Sequence, residues 1–257
     1  MDQKNVQHHH IITPDCNNTE IEQVIGKGIR VCSHNLPSII EPRSLPLKER
    51  ITIIGIVGKK GVGKDTTADI LVNLYDKDEN TIAIKMSFAD PLKQGIAAFF
   101  GWKIGDLNNE YKKEEVDNYW GVSPRKVMQW FGTEVFRKKI NELLPEVKNE
   151  EFWTKKMDLA IGEKIKNFDE EFVNPKIIVI ISDVRFPNEV QYLRSFKKNS
   201  VIKVVRQSTS NNVDNHASEK SVDDIKDCDL IVGNNFSTLE LFTKYIEMTL
   251  KSSIHLE

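Results

Sequence analysis

The sequence predicts a three-layer α/β domain in which helices cover both faces of a parallel sheet of about five strands. Two observations support this prediction. From residue 50 onward, short apolar runs alternate with segments of helical periodicity, which is typical of parallel strands joined by crossover helices. The first of these runs, Ile51–Val57, is almost continuously apolar, as expected for a strand buried on both faces.

Residues 1–49 differ from the rest of the chain and form a predicted N-terminal extension. They are polar, and prolines interrupt them at Pro14, Pro37, Pro42 and Pro46. We expect largely irregular structure here, followed by one domain over residues 50–257. His8-His9-His10 is interpreted as part of this polar tail, because no second group of metal-binding residues lies near it in the sequence.

The strands and helices of the domain follow in a regular order. Apolar runs predict five strands, at residues 51–57, 81–86, 176–182, 201–205 and 229–232. Helical spacing and helix-starting residues predict helices that begin near residues 64, 91, 123, 152, 189 and 237. The strand at 176–182 has the strongest pattern, so we expect it to be central. Residues 101–120, with two tryptophans among many charges, are a predicted insertion.

Two of the helices carry more detailed predictions. In the helix that begins at Ser123-Pro124, the spacing of Val127, Phe131 and Val135 predicts that these three side chains face inward. The last helix has Ser237 followed three residues later by Glu240, which predicts a capping box at its start.

Composition and charge exclude several classes of function. The chain has 36 basic and 38 acidic residues and a formal net charge of -2, so a nucleic-acid partner is not expected. No apolar run reaches the roughly 20 residues of a membrane span. Three cysteines without C-x-x-C spacing, and a start without a secretory pattern, indicate a reducing, cytoplasmic location. The sequence does not determine the oligomeric state, and a homodimer stays open.

A glycine-rich loop predicts a phosphate-binding site. Residues 58–64 match G-x-x-x-x-G-K, with Gly58, Gly63 and Lys64 at the defining positions and Gly61 as a further glycine of the loop. The loop lies between a buried strand and an amphipathic helix. Glycines let successive backbone N–H groups, including that of Lys60, point inward as an anion nest, and the helix N-terminus adds positive charge. Lys64 supplies a full charge for the β- and γ-phosphates of ATP. The alternative is a chance glycine-rich turn.

The loop departs from the pattern at Asp65, where Ser or Thr normally ligates Mg²⁺. A carboxylate can serve a hard cation directly or through water, so Asp65 is a candidate metal ligand. Thr66 can still donate to an α- or β-phosphate oxygen.

A second acidic residue, Asp183, follows the strand at 176–182. A carboxylate at this end of a parallel strand lies in the crevice where α/β folds bind ligands. Asp183 is predicted to hold Mg²⁺ or to orient an acceptor phosphate, and Arg185 to stabilise transferring charge. The alternative is that Asp183 only caps the following helix.

Together these features resemble the deoxynucleoside monophosphate kinases of large viruses and bacteriophages and, more distantly, dephospho-coenzyme A kinase. The resemblance covers roughly residues 51–250 and includes the P-loop form G-K-K-G-V-G-K-D-T-T-A-D, with the same unusual Asp. It extends to the segments 87–93, 124–134 and 182–189 and to Trp153. It implies a P-loop NTPase fold, ATP and Mg²⁺, and a nucleotide acceptor.

The resemblance and side-chain chemistry together suggest acceptor residues. Arginines can bind a monophosphate as a bidentate fork, a glutamine suits a base edge, and a tryptophan can stack on a base. The alternative for Trp153 is a purely structural place in the core. The alternative for Arg137 is a solvated charge on the surface of its helix. The acceptor set is Asp90, Lys93, Arg125, Gln129, Gly132, Thr133, Arg137 and Trp153.

The polar stretch 206–221 resembles the lid of this family. The resemblance implies that Arg206 neutralises phosphates as the lid closes, and that His216 and Glu219 fix the closed lid. The alternative is a solvated surface loop. The segment Gly233-Asn234-Asn235 resembles the adenine-side loop of related kinases, so Asn234 is a candidate ATP-binding residue. The alternative is that the segment is a simple turn.

The expected reaction transfers phosphate from ATP to a (deoxy)nucleoside monophosphate. One rival is a kinase of another small phosphate ester, such as dephospho-coenzyme A or phosphomevalonate. A second is a non-enzymatic nucleotide-binding protein whose partner docks on residues 1–49. A nucleic-acid-dependent ATPase is a third, and it lacks a basic surface signal.

Overall fold

The computed structural model describes residues 21–23, 29–31, 46–171, 175–207 and 217–253. By its internal contacts the chain divides into Met1–Glu41 and Pro42–Glu257. In the first unit, β1 (Ile21–Gln23) pairs antiparallel with β2 (Ile29–Val31). The histidines at 8–10 lie outside the described residues, and the predicted boundary after residue 49 stays a prediction.

The second unit is built on a five-stranded sheet in which all pairings are parallel. Its strand order is β4-β5-β3-β6-β7. The strands are β3 (Ile51–Val57), β4 (Thr81–Met86), β5 (Lys176–Val184), β6 (Lys198–Val205) and β7 (Leu230–Gly233). The predicted α/β fold with a parallel sheet of five strands is confirmed.

The prediction for β5 needs two corrections. The middle position of the sheet belongs to β3, and β5 lies between β3 and β4. The strand also runs on to Val184, so Asp183 lies inside it rather than after it. The extension has a physical reason, because Val184 pairs with Val57 past a register shift and is fully buried.

Ten helices and one π-helical segment occur among the described residues. They are α1 (Leu47–Arg50), α2 (Lys64–Tyr75), α3 (Asp90–Phe100), α4 (Ile104–Asn108), α5 (Pro124–Gln129), the π-helix Trp130–Lys139, α6 (Ile140–Leu143), α7 (Phe152–Glu171), α8 (Pro187–Arg194), α9 (Ala217–Asp224) and α10 (Leu239–Ser253). None of them is long and apolar enough to cross a bilayer.

Each face of the sheet is covered by its own set of helices. On one face, α7 and α8 supply Met157, Ile161 and Leu193, which pack with Ile53 and Val179 of the sheet. On the other face, α2 and α10 pack against the alternate residues of the same strands. Both faces of β3 are therefore covered, and all seven of its residues are buried.

Two helix predictions were wrong in detail. The predicted face Val127, Phe131, Val135 fails at its last member, because Phe136 packs against the core instead. The π-helix accounts for this, since its i→i+5 bonds widen the turn and shift the inward position by one residue. The capping box predicted at Ser237 was also wrong. At the start of α10, the hydroxyl of Thr238 accepts the Leu241 N–H at 3.3 Å.

The predicted insertion forms a small layer beside the sheet. Leu107 of α4 packs with Ile96 of α3 and Val127 of α5 in a separate apolar cluster. An isolated antiparallel bridge joins Asp117 to Val122, and the Trp102 Nε1–H donates to Asp117 at 2.9 Å. The apolar cluster fixes the insertion against α3 and α5, and the bridge and the hydrogen bond stabilise it internally.

Candidate active site

The glycine-rich loop lies between the C-terminal end of β3 and α2. Gly61 and Gly63 have φ values of 79° and 100°, in the left-handed region that favours glycine. A Cβ on Gly63 would lie 2.4 Å from Asn234 Nδ2. That nitrogen donates to the Val62 carbonyl at 2.8 Å, so Asn234 clamps the loop from the β7 side.

Lys64 lies at the start of α2 with only 7% of its surface exposed. Its ammonium donates to the Lys59 carbonyl at 2.7 Å, across the mouth of the loop. Burial, with a further contribution from the nearby Arg185 charge, lowers the pKa of Lys64 to about 8. The carboxylates of Glu219, Asp183 and Asp65 oppose this shift only in part, and a bound polyphosphate would favour the charged ammonium further.

The residue after it, Asp65, points its carboxylate to the exposed edge of the cleft. It forms an ion pair with Lys85 of β4 at 3.1 Å, and Lys85 also contacts Asp69 at 2.9 Å. Partial burial acts to raise the pKa of Asp65, but hydrogen bonds from Lys85 and Ser182 outweigh it and lower the pKa overall. Asp65 therefore stays ionised, as a metal ligand must.

Asp183, near the end of β5, is engaged by the turn that precedes α3. Its Oδ1 accepts the Phe88 N–H at 2.7 Å. Its Oδ2 accepts both the Ser87 hydroxyl at 2.6 Å and the Ala89 N–H at 3.0 Å. Asp183 thus holds the start of α3, which carries the predicted acceptor residues Asp90 and Lys93.

These contacts bear on which carboxylate suits Mg²⁺. A carboxylate oxygen has two lone pairs, so Oδ2 of Asp183 is filled and Oδ1 has one left. Asp65 is the more accessible candidate metal ligand, because its side chain is 77% exposed. No three His, Cys, Asp or Glu side chains converge as a metal site within the described part of the chain. The arrangement fits a Mg²⁺ held by one carboxylate, with phosphates and waters as its other ligands.

Helix α9 contacts the P-loop through Glu219, whose carboxylate is buried. One oxygen accepts the Lys60 N–H of the loop at 2.8 Å, and the other pairs with the Arg185 guanidinium. On the same helix, Asp223 pairs with Lys59 at 2.9 Å. A carboxylate therefore lies on one backbone donor of the predicted anion nest.

A buried carboxylate, Glu189, organises the chain after β5. It accepts the Arg185 N–H at 2.8 Å and the Phe186 N–H at 3.1 Å, and it pairs with Arg137. Arg137 also stacks 3.7 Å from the centre of the Phe186 ring. Burial raises the pKa of Glu189, with the Arg137 charge opposing it. Glu189 is the last residue of the segment 182–189 that carries the family resemblance, but the sequence alone assigned it no role.

Trp153 lies in the core and also on the wall of the cleft. Only 5% of it is exposed, and its ring packs edge-on against Phe136 and Phe152. Its Nε1–H donates to the Gly132 carbonyl of the π-helix at 3.1 Å. The indole thus fixes the π-helix in place, and its stacking on a base stays a prediction.

One cleft of about 720 Å³ collects most of the predicted acceptor side. It lies at the carboxyl ends of β4 and β5. The predicted residues that line it are Asp65, Asp90, Lys93, Arg125, Gln129, Gly132, Thr133, Arg137, Trp153, Asp183, Arg185 and Glu219. Of the rest, Arg206 lies against the Asn234 loop, where its Nε–H donates to the Asn234 carbonyl at 3.0 Å. Thr66 is half-buried on α2, and His216 lies outside the described residues.

Sequence reasoning missed several residues of this cleft. Lys85 and Ser182 lie on the strands beside the loop, and Asn108, Glu110 and Lys113 come from the insertion. The only signal in the sequence was the high charge of the insertion. Such a run is normally a solvated surface, so its part in the cleft required the fold.

The arrangement defines a class of protein. A glycine-rich anion loop with a buried lysine, opening onto a cleft lined with cations and amides, is the site of a P-loop phosphotransferase. A family model for deoxynucleotide monophosphate kinase matches residues 103–245, more than half of the chain. The chain therefore belongs to the deoxynucleotide monophosphate kinase family.

Individual proteins give a consistent but more distant comparison. A protein of Acanthamoeba polyphaga mimivirus, provisionally named a deoxynucleotide monophosphate kinase, is 29% identical over 198 residues, covering 76% of this chain and 95% of the relative. Shikimate kinase from Acinetobacter baumannii, solved with shikimate, matches 81% of this chain and 97% of its own at 13% identity and a TM-score of 0.36. A Borrelia burgdorferi plasmid partition protein matches with a TM-score of 0.29. Neither score is high enough to bear on function.

Proposed function

We propose that the chain transfers the γ-phosphoryl group of ATP to a (deoxy)nucleoside monophosphate, forming ADP and the diphosphate. The cleft beside the P-loop supports this most strongly, because it brings Lys93 of α3 together with Arg125 and Gln129 of α5. A guanidinium and an ammonium suit a phosphate, and a primary amide suits a base edge.

The donor would lie on the P-loop. The backbone N–H groups of residues 60–64 and the start of α2 would hold its β- and γ-phosphates, with Lys64 as the mobile charge. Asp65 would hold Mg²⁺, with Asp183 as a further candidate, and the ion would offset charge on the transferring group. The Asn234 loop and Arg206 lie on the opposite side of the P-loop from the cleft, which suits the adenosine end of the donor.

The acceptor would lie in the cleft, with its phosphate toward the P-loop. Arg125 would bind that phosphate, and Gln129 would read the base from the next turn of the same helix. Arg185 lies between the two sides, and a well-placed arginine is worth roughly 10³–10⁵ in rate in phosphoryl transfer. Because a monophosphate is already ionised at neutral pH, the reaction needs no catalytic base.

A panel of acceptors tests this proposal. The four common deoxynucleoside monophosphates, their ribo forms, dephospho-coenzyme A and phosphomevalonate would each be incubated with ATP, Mg²⁺ and the full chain. We expect turnover of at least one deoxynucleoside monophosphate and none in Lys64→Ala, with Lys77→Ala, an exposed lysine beyond α2, as the matched control. Turnover of only dephospho-coenzyme A or phosphomevalonate would show that the acceptor is not a nucleoside monophosphate.

A further inference from the structure

The insertion brings a lysine, Lys113, into the cleft, and no motif assigned it a role. Lys113 lines the cleft together with Asn108 and Glu110 from the same segment. Its side chain is half-buried, whereas the neighbouring Lys112 is exposed and pairs with Asp106 at 2.7 Å. Two consecutive lysines are therefore in different surroundings, and only the second is turned toward the site.

The position of Lys113 is fixed relative to the predicted acceptor side. Its carbonyl accepts the Arg125 N–H at 2.8 Å, which ties the insertion to the first turn of α5. The next residue, Glu114, contacts Arg125 Nε at 3.1 Å and Lys60 Nζ at 3.5 Å. The insertion therefore contacts both α5 and the P-loop through a hydrogen bond and ion pairs.

Lys113 lies close to three other cations of the cleft and the P-loop. Its ammonium forms no hydrogen bond or ion pair with any side chain in the described ranges. Burial lowers its pKa; Glu110 opposes the shift, and the charges of Arg125, Lys60 and Lys93 add to it. These three cations come from α5, the P-loop and α3. Glu114 offsets part of the charge of Arg125 and Lys60, and Asp90 pairs with Lys93 at 3.7 Å, but the ammonium of Lys113 still lies beside all three cations. A bound anion would relieve this repulsion.

We propose that Lys113 binds the phosphate group of the acceptor, acting together with Arg125. This rests on the proposed function and deepens it, because it assigns to the insertion a direct part in holding the monophosphate. A flexible ammonium beside a planar guanidinium gives the phosphate donors from two directions. The insertion would then be part of the substrate site.

The test is a comparison of Lys113→Gln with Lys126→Gln. Lys126 is exposed on α5, one residue from Arg125, and does not line the cleft, so its loss is a matched control for charge. A charged hydrogen bond to phosphate corresponds to about a 10- to 100-fold change in affinity. We expect KM for the monophosphate to rise by about that factor in Lys113→Gln, with KM for ATP little changed and with Lys113→Arg close to wild type.

The outcomes separate this inference from the proposed function. If the wild-type chain phosphorylates a deoxynucleoside monophosphate and Lys113→Gln has the same KM as Lys126→Gln, only the role of Lys113 is overturned. The same holds if KM for ATP rises as much as KM for the monophosphate. If the wild-type chain phosphorylates no monophosphate, the proposed function fails and this inference fails with it. Matching melting curves for the variants show that each is folded.

Discussion

At the scale of single residues, the fold changes the acid–base chemistry of Lys64. It is nearly buried at the start of α2, and its pKa is lowered to about 8 by burial and by Arg185. The free protein near neutral pH therefore holds a charged lysine that is close to losing its proton. Polyphosphate favours the charged form, so nucleotide binding and proton uptake are coupled.

This coupling predicts that ATP affinity falls as the pH rises from about 7 to about 9, because the neutral amine that forms above the lowered pKa no longer attracts phosphate. Isothermal titration calorimetry at about pH 8, in two buffers of different ionisation enthalpy, should show proton uptake on ATP binding. In Lys64→Arg the charge is permanent, so both effects should disappear. An unchanged pH dependence in Lys64→Arg would show that another group is responsible.

The residues of the site could be predicted from the sequence where a motif carries them. Lys64 follows from the P-loop pattern, and Asp65 from its place at the metal-ligand position of that pattern. The arginine and glutamine of the 124–134 segment line the cleft with most of the predicted acceptor set. Their roles stay predictions. Lys85, Glu189 and Lys113 could not be found this way, because each matters through contacts far away in the sequence, such as the pair formed by Glu189 and Arg137.

At the scale of elements, the π-helix Trp130–Lys139 is the feature that sequence periodicity missed. The pattern predicted an α-helix, and the observed widening turns Phe136 to the core and leaves the Gly132 carbonyl for Trp153. The strands were easier to predict from the sequence, since Ile51–Val57 and Thr81–Met86 have the predicted bounds. Apolar runs buried on both faces have few alternatives, whereas helix type depends on tertiary contacts.

The close approach of the π-helix to α3 gives a second prediction. A Cβ on Gly132 would lie 2.9 Å from Leu92 Cδ2, and Leu92 lines the cleft. Gly132→Ala should push Leu92 into the cleft and raise KM for the acceptor by about three- to tenfold, the effect of roughly 1 kcal/mol. KM for ATP should not change, as steady-state kinetics can show.

Gly162→Ala is the control for this variant. Gly162 lies in α7, and a Cβ there meets no atom within 4 Å. The change should leave both KM values alone and raise the free energy of unfolding by about 0.5–1 kcal/mol, because alanine is the better helix former. Equal KM values in the two variants would show that Leu92 does not limit acceptor binding.

Helix α9 gives a third prediction, because Glu219 bonds the Lys60 N–H and Arg185, both of which the γ-phosphate would use. Replacing the carboxylate by a neutral amide should weaken this internal competition. Glu219→Gln is therefore expected to bind ATP about three- to tenfold more tightly in equilibrium titration, the range of a single hydrogen bond of about 1 kcal/mol.

The matched control is Asp223→Asn on the same helix. Its ion pair with Lys59 is exposed on both sides and should contribute little, so ATP affinity should stay close to wild type. Weaker ATP binding by Glu219→Gln would mean that the carboxylate holds the P-loop in its binding form instead of competing with the nucleotide.

At the scale of the whole molecule, strand order explains why the site lies where it does. From β3 the chain crosses to β4 on one side, and from β5 it crosses to β6 on the other. Adjacent strands whose connections leave in opposite directions open a crevice at their carboxyl ends. The P-loop follows β3 and Asp183 lies near the end of β5, so the proposed donor and acceptor sides meet at this crevice.

The proposed function requires that the phosphoryl group pass to a nucleotide and not to water. The most direct measurement is ³¹P NMR of ATP, Mg²⁺ and a deoxynucleoside monophosphate with the full chain. We expect the two phosphorus signals of the deoxynucleoside diphosphate to grow in step with those of ADP, and neither set to appear with Lys64→Ala. Growth of ADP with inorganic phosphate, and no diphosphate of the acceptor, would contradict it.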